Sequence, residues 1–169
     1  MIRTIVKYPD PRLKERCKPV TKFDGELRQL AADMLETMYA APGVGLAAPQ
    51  VGETVRLIVV DVSAGEEPDR HLVLVNPELV EQQGTQKGEE GCLSIPGVTG
   101  VVERPARVLV RAQDLDGKPF EVEGEELMAR ILCHEIDHLD GILYLDRLSP
   151  LQRELLKRKI RKLMRNGEY

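Results

Sequence analysis

Two histidines stand four residues apart, with a glutamate beside the first, in His134-Glu135-Ile136-Asp137-His138; this segment constrains the fold more than any other. The chain holds only three histidines, so two of them are spent here. On a helix, residues i and i+4 lie about 40° apart around the axis, one turn above each other. Two imidazoles so placed grip one divalent metal, and Glu135 beside them can handle the proton of a water on that metal. At about 100° per residue, Leu127, Ile131, His134 and His138 fall within an arc of about 60°. The histidines therefore continue an apolar stripe that faces the core, and the rest of the chain has to be built around this helix. Its start is expected near Gly124-Glu125-Glu126, with acids in the first turn, and its end at Gly141. Glu135 sits at the edge of the stripe, and Cys133 points to nearly the opposite side. The pattern predicts a metal-dependent hydrolase and leaves the substrate open.

The 169 residues are expected to form one domain, long enough to bury a real core. The start, MIRTIVKYPDPRL, lacks the pattern of a signal peptide, and no apolar run reaches the ~18 residues of a membrane span. Cys17, Cys92 and Cys133 are odd in number and form no CxxC, which fits a reducing cytoplasm. A net charge of −4 argues against a general nucleic-acid binder, so no DNA partner is expected. That charge is uneven: residues 149–169 carry +5 and residues 1–148 carry −9. A basic tail on an acidic body is read either as a solvated helix face or as a dock for a polyanion.

Leu27, Leu30, Ala31, Met34, Leu35 and Met38 repeat at helical spacing behind Asp24, a good N-cap, and Pro42-Gly43 ends the run. Residues 43–52, GVGLAAPQVG, read as a loop or an irregular edge strand. TVRLIVVDV (54–62) and HLVLVNPELV (71–80) are strand-like, with a turn at 64–69. Further strands are expected at 98–103, 107–114 and 119–123. Ser149, Pro150 and Gln152 give the last helix a capped start. Strand pairs joined by hairpins, with no βαβ alternation, predict an α+β fold: antiparallel sheets packed around the central histidine helix, flanked by an N-terminal amphipathic helix and a C-terminal helix.

A catalytic metal takes three protein ligands and keeps one position open. Downstream, the place where HExxHxxGxxH would put a third histidine holds Tyr144, while Asp146 and Glu154 lie in unremarkable contexts. Upstream, Cys92 in EEGCLSIP offers a thiolate, and a Cys/His/His set suits Fe(II), Zn, Co or Ni. A downstream acid would make the chain a metallopeptidase. A structural zinc would need a fourth ligand, for which the sequence offers no good candidate.

Three segments in order, GVGLAAPQVG (43–52), EGCLSIP (90–96) and HEIDHLDG (134–141), resemble the signature motifs of peptide deformylases. The opening YPDPRL and the LDRLSP before the last helix match as well, so the resemblance covers essentially the whole chain, read as a single catalytic domain over 1–169 with a basic C-terminal helix at 149–166. The resemblance implies removal of the formyl group from the N-terminal formyl-methionine of new proteins, with release of formate, in the cytoplasm. It implies one divalent metal, natively Fe(2+) with Zn(2+), Ni(2+) or Co(2+) as alternatives, on Cys92, His134 and His138. Glu135 is then the acid/base, and Gln50 with the Leu93 N–H are the oxyanion donors. Backbone groups of Val44, Gly45, Leu46, Glu90 and Gly91 would hold the peptide as an added strand. Leu127, Ile131 and the stem of Arg130 would line the methionine pocket. The expected partners are N-formyl-methionyl nascent chains and, through the basic helix, the ribosome surface; no membrane is involved. Three positions depart from the family's common pattern: Gly97-Val98-Thr99-Gly100 stands where some members carry an arginine near the substrate, Val44 replaces a frequent isoleucine, and Cys133 stands where glutamine is common.

Overall fold

The structure, a computed structural model, describes residues 1–169. Helix α1 (Gly25–Ala40) starts where its cap predicts, with the Asp24 carboxylate accepting from the Leu27 N–H at 3.1 Å. Seven strands follow: β1 (Gly45–Ala47), β2 (Leu57–Val60), β3 (Leu72–Gln83), β4 (Gln86–Cys92), β5 (Ile95–Arg104), β6 (Arg107–Gln113) and β7 (Pro119–Glu125). Helix α2 (Leu127–Leu139) carries the histidines, and α3 (Pro150–Arg165) is the last element. The strands form an antiparallel five-stranded sheet in the order β1-β2-β3-β6-β7 and a separate hairpin, β4-β5. Strands, hairpins and three helices make the α+β fold that the sequence pattern predicts.

The large sheet is buried on both faces, which explains the unbroken apolar run of β2. Leu57, Val59 and Val75 pack with Leu27, Leu30, Met34 and Met38 of α1. Ile58, Val60 and Leu74 alternate to the other face and pack with Ala129, Leu132, Ile136 and Leu139 of α2. On its far side α2 meets the β4-β5 hairpin. That hairpin packs in turn through Ile95, Val98 and Val102 against Leu143, Tyr144 and Leu148, which precede α3, and against Ile160 on α3. The histidine helix is thus the middle layer, buried from Ala129 to Leu139, where one inward stripe was expected.

Two regions differ from the sequence reading, and residues 43–52 take the edge-strand form it allows. The helix starts at Leu127, because Gly124 and Glu125 pair with Val108 and Arg107 across β6-β7, and Glu126 turns the chain at a φ of 52°. The acids expected in its first turn are therefore strand and turn residues. Residues 86–92, unread as a strand, form β4 by pairing with β5. Residues 43–52 resolve into the short edge strand β1 followed by a 3-10 turn at Ala48–Val51.

Candidate active site

The hairpin brings Cys92, the third candidate ligand, to the histidine pair. β4 ends at Cys92, which pairs with Ile95 across a two-residue turn and lies against His138 of α2. Cys92 Sγ lies 3.4 Å from His138 Nε2, and the ligand atoms of Cys92, His134 and His138 all lie within 4.8 Å of one another. Asp146 is not among them; it binds Lys14 and the Leu143 N–H. The set is one sulfur and two imidazole nitrogens, which fits a soft to borderline divalent cation.

A carboxylate aims the His134 imidazole, whereas His138 Nδ1 is buried without a hydrogen-bond partner. His134 Nδ1 lies 2.8 Å from Glu90 Oε1, which leaves its Nε2 for the ligand cluster. Glu90 is itself held: Arg104 donates to it twice, at 2.8 and 2.9 Å, and Arg130 once at 2.8 Å. Burial alone would raise the Glu90 pKa, but Arg104 and His134 outweigh it and bring it down to about 2, so the carboxylate is an anion that only accepts. His134 must then donate from Nδ1. Burial opposes a second proton on His134, yet contacts with Cys92 and Glu90 hold its pKa well above 6.5; burial and the neighbouring His134 drive His138 well below it. A cation and that second proton on His134 compete for one nitrogen.

Glu135 stands on the same helix, with Oε1 buried and without a hydrogen-bond partner. Burial pushes its pKa up to about 7, so its carboxyl can give as well as take a proton near neutrality. It lies against Gly45: a Cβ built on that glycine would come within 2.6 Å of Glu135 Oε2. Gly45 is therefore glycine because the carboxylate occupies the space of a side chain.

Gln50 is buried in the 3-10 turn after β1. Its Oε1 accepts from the Ala47 N–H at 2.9 Å, which fixes the amide the right way round. Nε2 then faces Ser94 Oγ at 3.1 Å and Cys92 Sγ at 3.5 Å. The Leu93 N–H beside it makes no hydrogen bond to another backbone group. Two donors thus converge beside the ligand cluster.

These groups line a cleft of about 360 Å³ with Gly43, Val44, Gly45, Glu89, Glu90, Gly91, Leu127, Arg130 and Ile131. β1 pairs only with β2 and β4 only with β5, so each has one edge without a strand partner. The structure brings together all but one of the residues singled out in the sequence. Leu46 is the exception; it is fully buried and packs toward α1. Arg130 lines the cleft while its guanidinium is turned to Glu90 and to the Gly88 and Val102 carbonyls. Sequence reasoning missed Ser94 and Arg104, and it missed that Glu90 contributes its carboxylate as well as its backbone. The one available signal was three charged side chains, Arg130, Glu135 and Asp137, on a helix otherwise apolar enough to be central.

The sequence profile described as polypeptide deformylase matches residues 2–154. Along its full length the chain is 55% identical to the peptide deformylase of Acidobacterium capsulatum, covering 99% of that protein. The crystal structure of a peptide deformylase from Legionella pneumophila superposes with a TM-score of 0.93 at 48% identity, over 99% of this chain and 98% of that one. The peptide deformylase of Thermus thermophilus gives 0.91 at 42% identity, again over 99% and 98%. A likeness that runs from end to end, in sequence and in backbone alike, admits one conclusion: the chain belongs to the polypeptide deformylase family.

Proposed function

We propose that Cys92, His134 and His138 hold one divalent metal, natively iron(II), and that Glu135, Gln50 and the Leu93 N–H perform the hydrolysis. The reaction follows from the family: the enzyme removes the N-formyl group from the N-terminal formyl-methionine of newly made proteins and releases formate. The observation that carries the residue roles is the ligand set within 4.8 Å beside a cleft lined by Glu135, Gln50 and Leu93. A cation bound there supplies Lewis acidity, lowering the pKa of a water from about 16 to roughly 7.

The residues divide the remaining work. Glu135 takes the proton of the attacking water and delivers it to the leaving amine, so one carboxyl serves both halves of the reaction. Gln50 Nε2 and the Leu93 N–H donate to the formyl oxygen as charge grows on it, a contribution of about 10²–10³ in rate per donor. The free edges of β1 and β4 align the peptide between them. Leu127 and Ile131 give the methionine side chain an apolar wall.

A thiolate with two imidazoles suits iron(II), and zinc, nickel or cobalt can take the same ligands. Such an iron site is expected to lose activity in air, with nickel or cobalt restoring it. No helix is long and apolar enough to cross a membrane, and we place the enzyme in the cytoplasm, where its nascent substrates emerge. We also propose that the basic face of α3 docks on the phosphate-rich surface of the ribosome. Formate release from a formyl-Met peptide, measured beside cleavage of the unformylated peptide, tests the activity. Cleavage without a formyl group would return the site to the metallopeptidases. X-ray absorption tests the ligands: a shell of nitrogen and oxygen alone, without sulfur at about 2.3 Å, removes Cys92 from the set.

A further inference from the structure

The ion-pair chain that begins at His134 does not stop at Arg104. Arg104 spends Nε and Nη2 on Glu90 and turns Nη1 to Asp137 Oδ2 at 2.6 Å. Asp137 stands on α2, one position before His138, and it is held from the other side by Arg147, whose Nε reaches Oδ2 at 3.0 Å and whose Nη2 reaches Oδ1 at 2.8 Å. One guanidinium is therefore shared between two carboxylates, and one of these orients a metal ligand. Arg147 is the outer end of the chain. Its side chain is 45% exposed, against 11% for Asp137, 3% for Arg104 and 4% for Glu90.

We infer that Asp137 and Arg147 are positioning residues for His134. Two carboxylates compete for Arg104, and Arg147, bidentate on Asp137, satisfies one competitor so that Arg104 stays forked on Glu90. Without Arg147, Asp137 draws on Arg104 alone, the fork on Glu90 loosens, and Glu90 holds the His134 ring less firmly. Partners beyond the ligands commonly contribute about 10–100-fold in metal affinity. The inference rests on His134 being a ligand, and neither Asp137 nor Arg147 touches the cleft.

Cobalt(II) is the probe. A thiolate-to-cobalt absorption band in the parental enzyme, lost in Cys92→Ala, tests the ligand reading by itself. Given that band, Arg147→Met is expected to weaken cobalt binding, measured by competition with a chelator, by about tenfold or more. Arg147→Lys, which keeps the charge and loses the fork, should recover part of it. Asp137→Asn removes the competing charge, so adding Arg147→Met to it should cost little further cobalt affinity. A merely structural Arg147 would lower the melting temperature and leave the cobalt affinity unchanged. Unchanged affinity in Arg147→Met, or an equal loss in the Asp137→Asn background, would overturn the inference.

Discussion

Glu90 Oε1 and His134 Nδ1 are 2.8 Å apart, and this contact decides which nitrogen of His134 faces the ligand cluster. A carboxylate held anionic by Arg104 accepts and never donates, so one proton sits on Nδ1 and Nε2 is the nitrogen left for a cation. Glu90→Gln can present its amide N–H to the ring and favour the opposite tautomer. The variant is expected to bind cobalt(II) about 10–100-fold more weakly in calorimetric titration. It should also melt earlier, because removing one partner of a buried ion pair costs about 3–5 kcal/mol. Parental affinity in a folded Glu90→Gln protein would refute the orienting role.

The histidine pair was legible because its periodicity is local: i and i+4 on a helix depend on nothing but the helix. The cap at Asp24 was legible for the same reason. β4 was not, since Gln86–Cys92 is polar and glycine-containing, a poor strand by composition, and becomes one by pairing with β5. The start of α2 was misplaced because pairing of Gly124 and Glu125 with β6 overrides their local preference. Cys92 was singled out through the motif it sits in, and no spacing rule could have measured its distance to His138. Arg104 gave no sign in the sequence; only the fold shows that it lies between Glu90 and Asp137.

Glu135→Gln should keep its metal and lose nearly all turnover, because holding the cation and carrying the proton are separate tasks. Gly45→Ala offers a milder test of the same carboxylate. Its methyl would lie within 2.6 Å of Glu135 Oε2, so the carboxylate has to move. The expected result is a lower kcat with metal content unchanged. A Gly45→Ala enzyme with parental kcat would show that the carboxylate position is not critical.

Gln50→Leu is expected to lower kcat by about 10²–10³ while changing KM little, since its hydrogen bond strengthens as the oxyanion forms. Ser94→Ala should fall in the same direction by less, because the Ala47 N–H still fixes the amide from the other side. A rise in KM alone for Gln50→Leu would make it a ground-state binding residue.

Burial raises the thiols of Cys17 and Cys133 from an ordinary 9.0 to about 11. The folded state therefore holds those protons more tightly than the unfolded chain. The resulting stability is complete below about pH 9 and is lost as pH rises through 11. Chemical denaturation between pH 8 and 11 should show this decline, and Cys17→Ala with Cys133→Ala should flatten it. Both thiols, 3% and 7% exposed, should also resist iodoacetamide in the folded protein at pH 8. Rapid labelling of either would show that the core opens there.

Helix α3 is apolar on one face and basic on the other. Ile160 is fully buried, Leu156 and Leu163 pack beside it, and Arg158, Arg161, Lys162 and Arg165 stand exposed with Lys157 half-buried. The packing contacts explain the apolar face, and none of them needs so many unopposed positive charges on the other. If those charges meet ribosomal phosphates, binding displaces counterions and affinity falls steeply as salt is raised. Changing Lys157, Arg158, Arg161 and Lys162 to glutamine should weaken co-sedimentation with ribosomes and flatten that salt dependence. Hydrolysis of a free formyl-Met dipeptide should be spared, because none of the four lines the cleft. Undiminished co-sedimentation would leave the basic face as solvated surface.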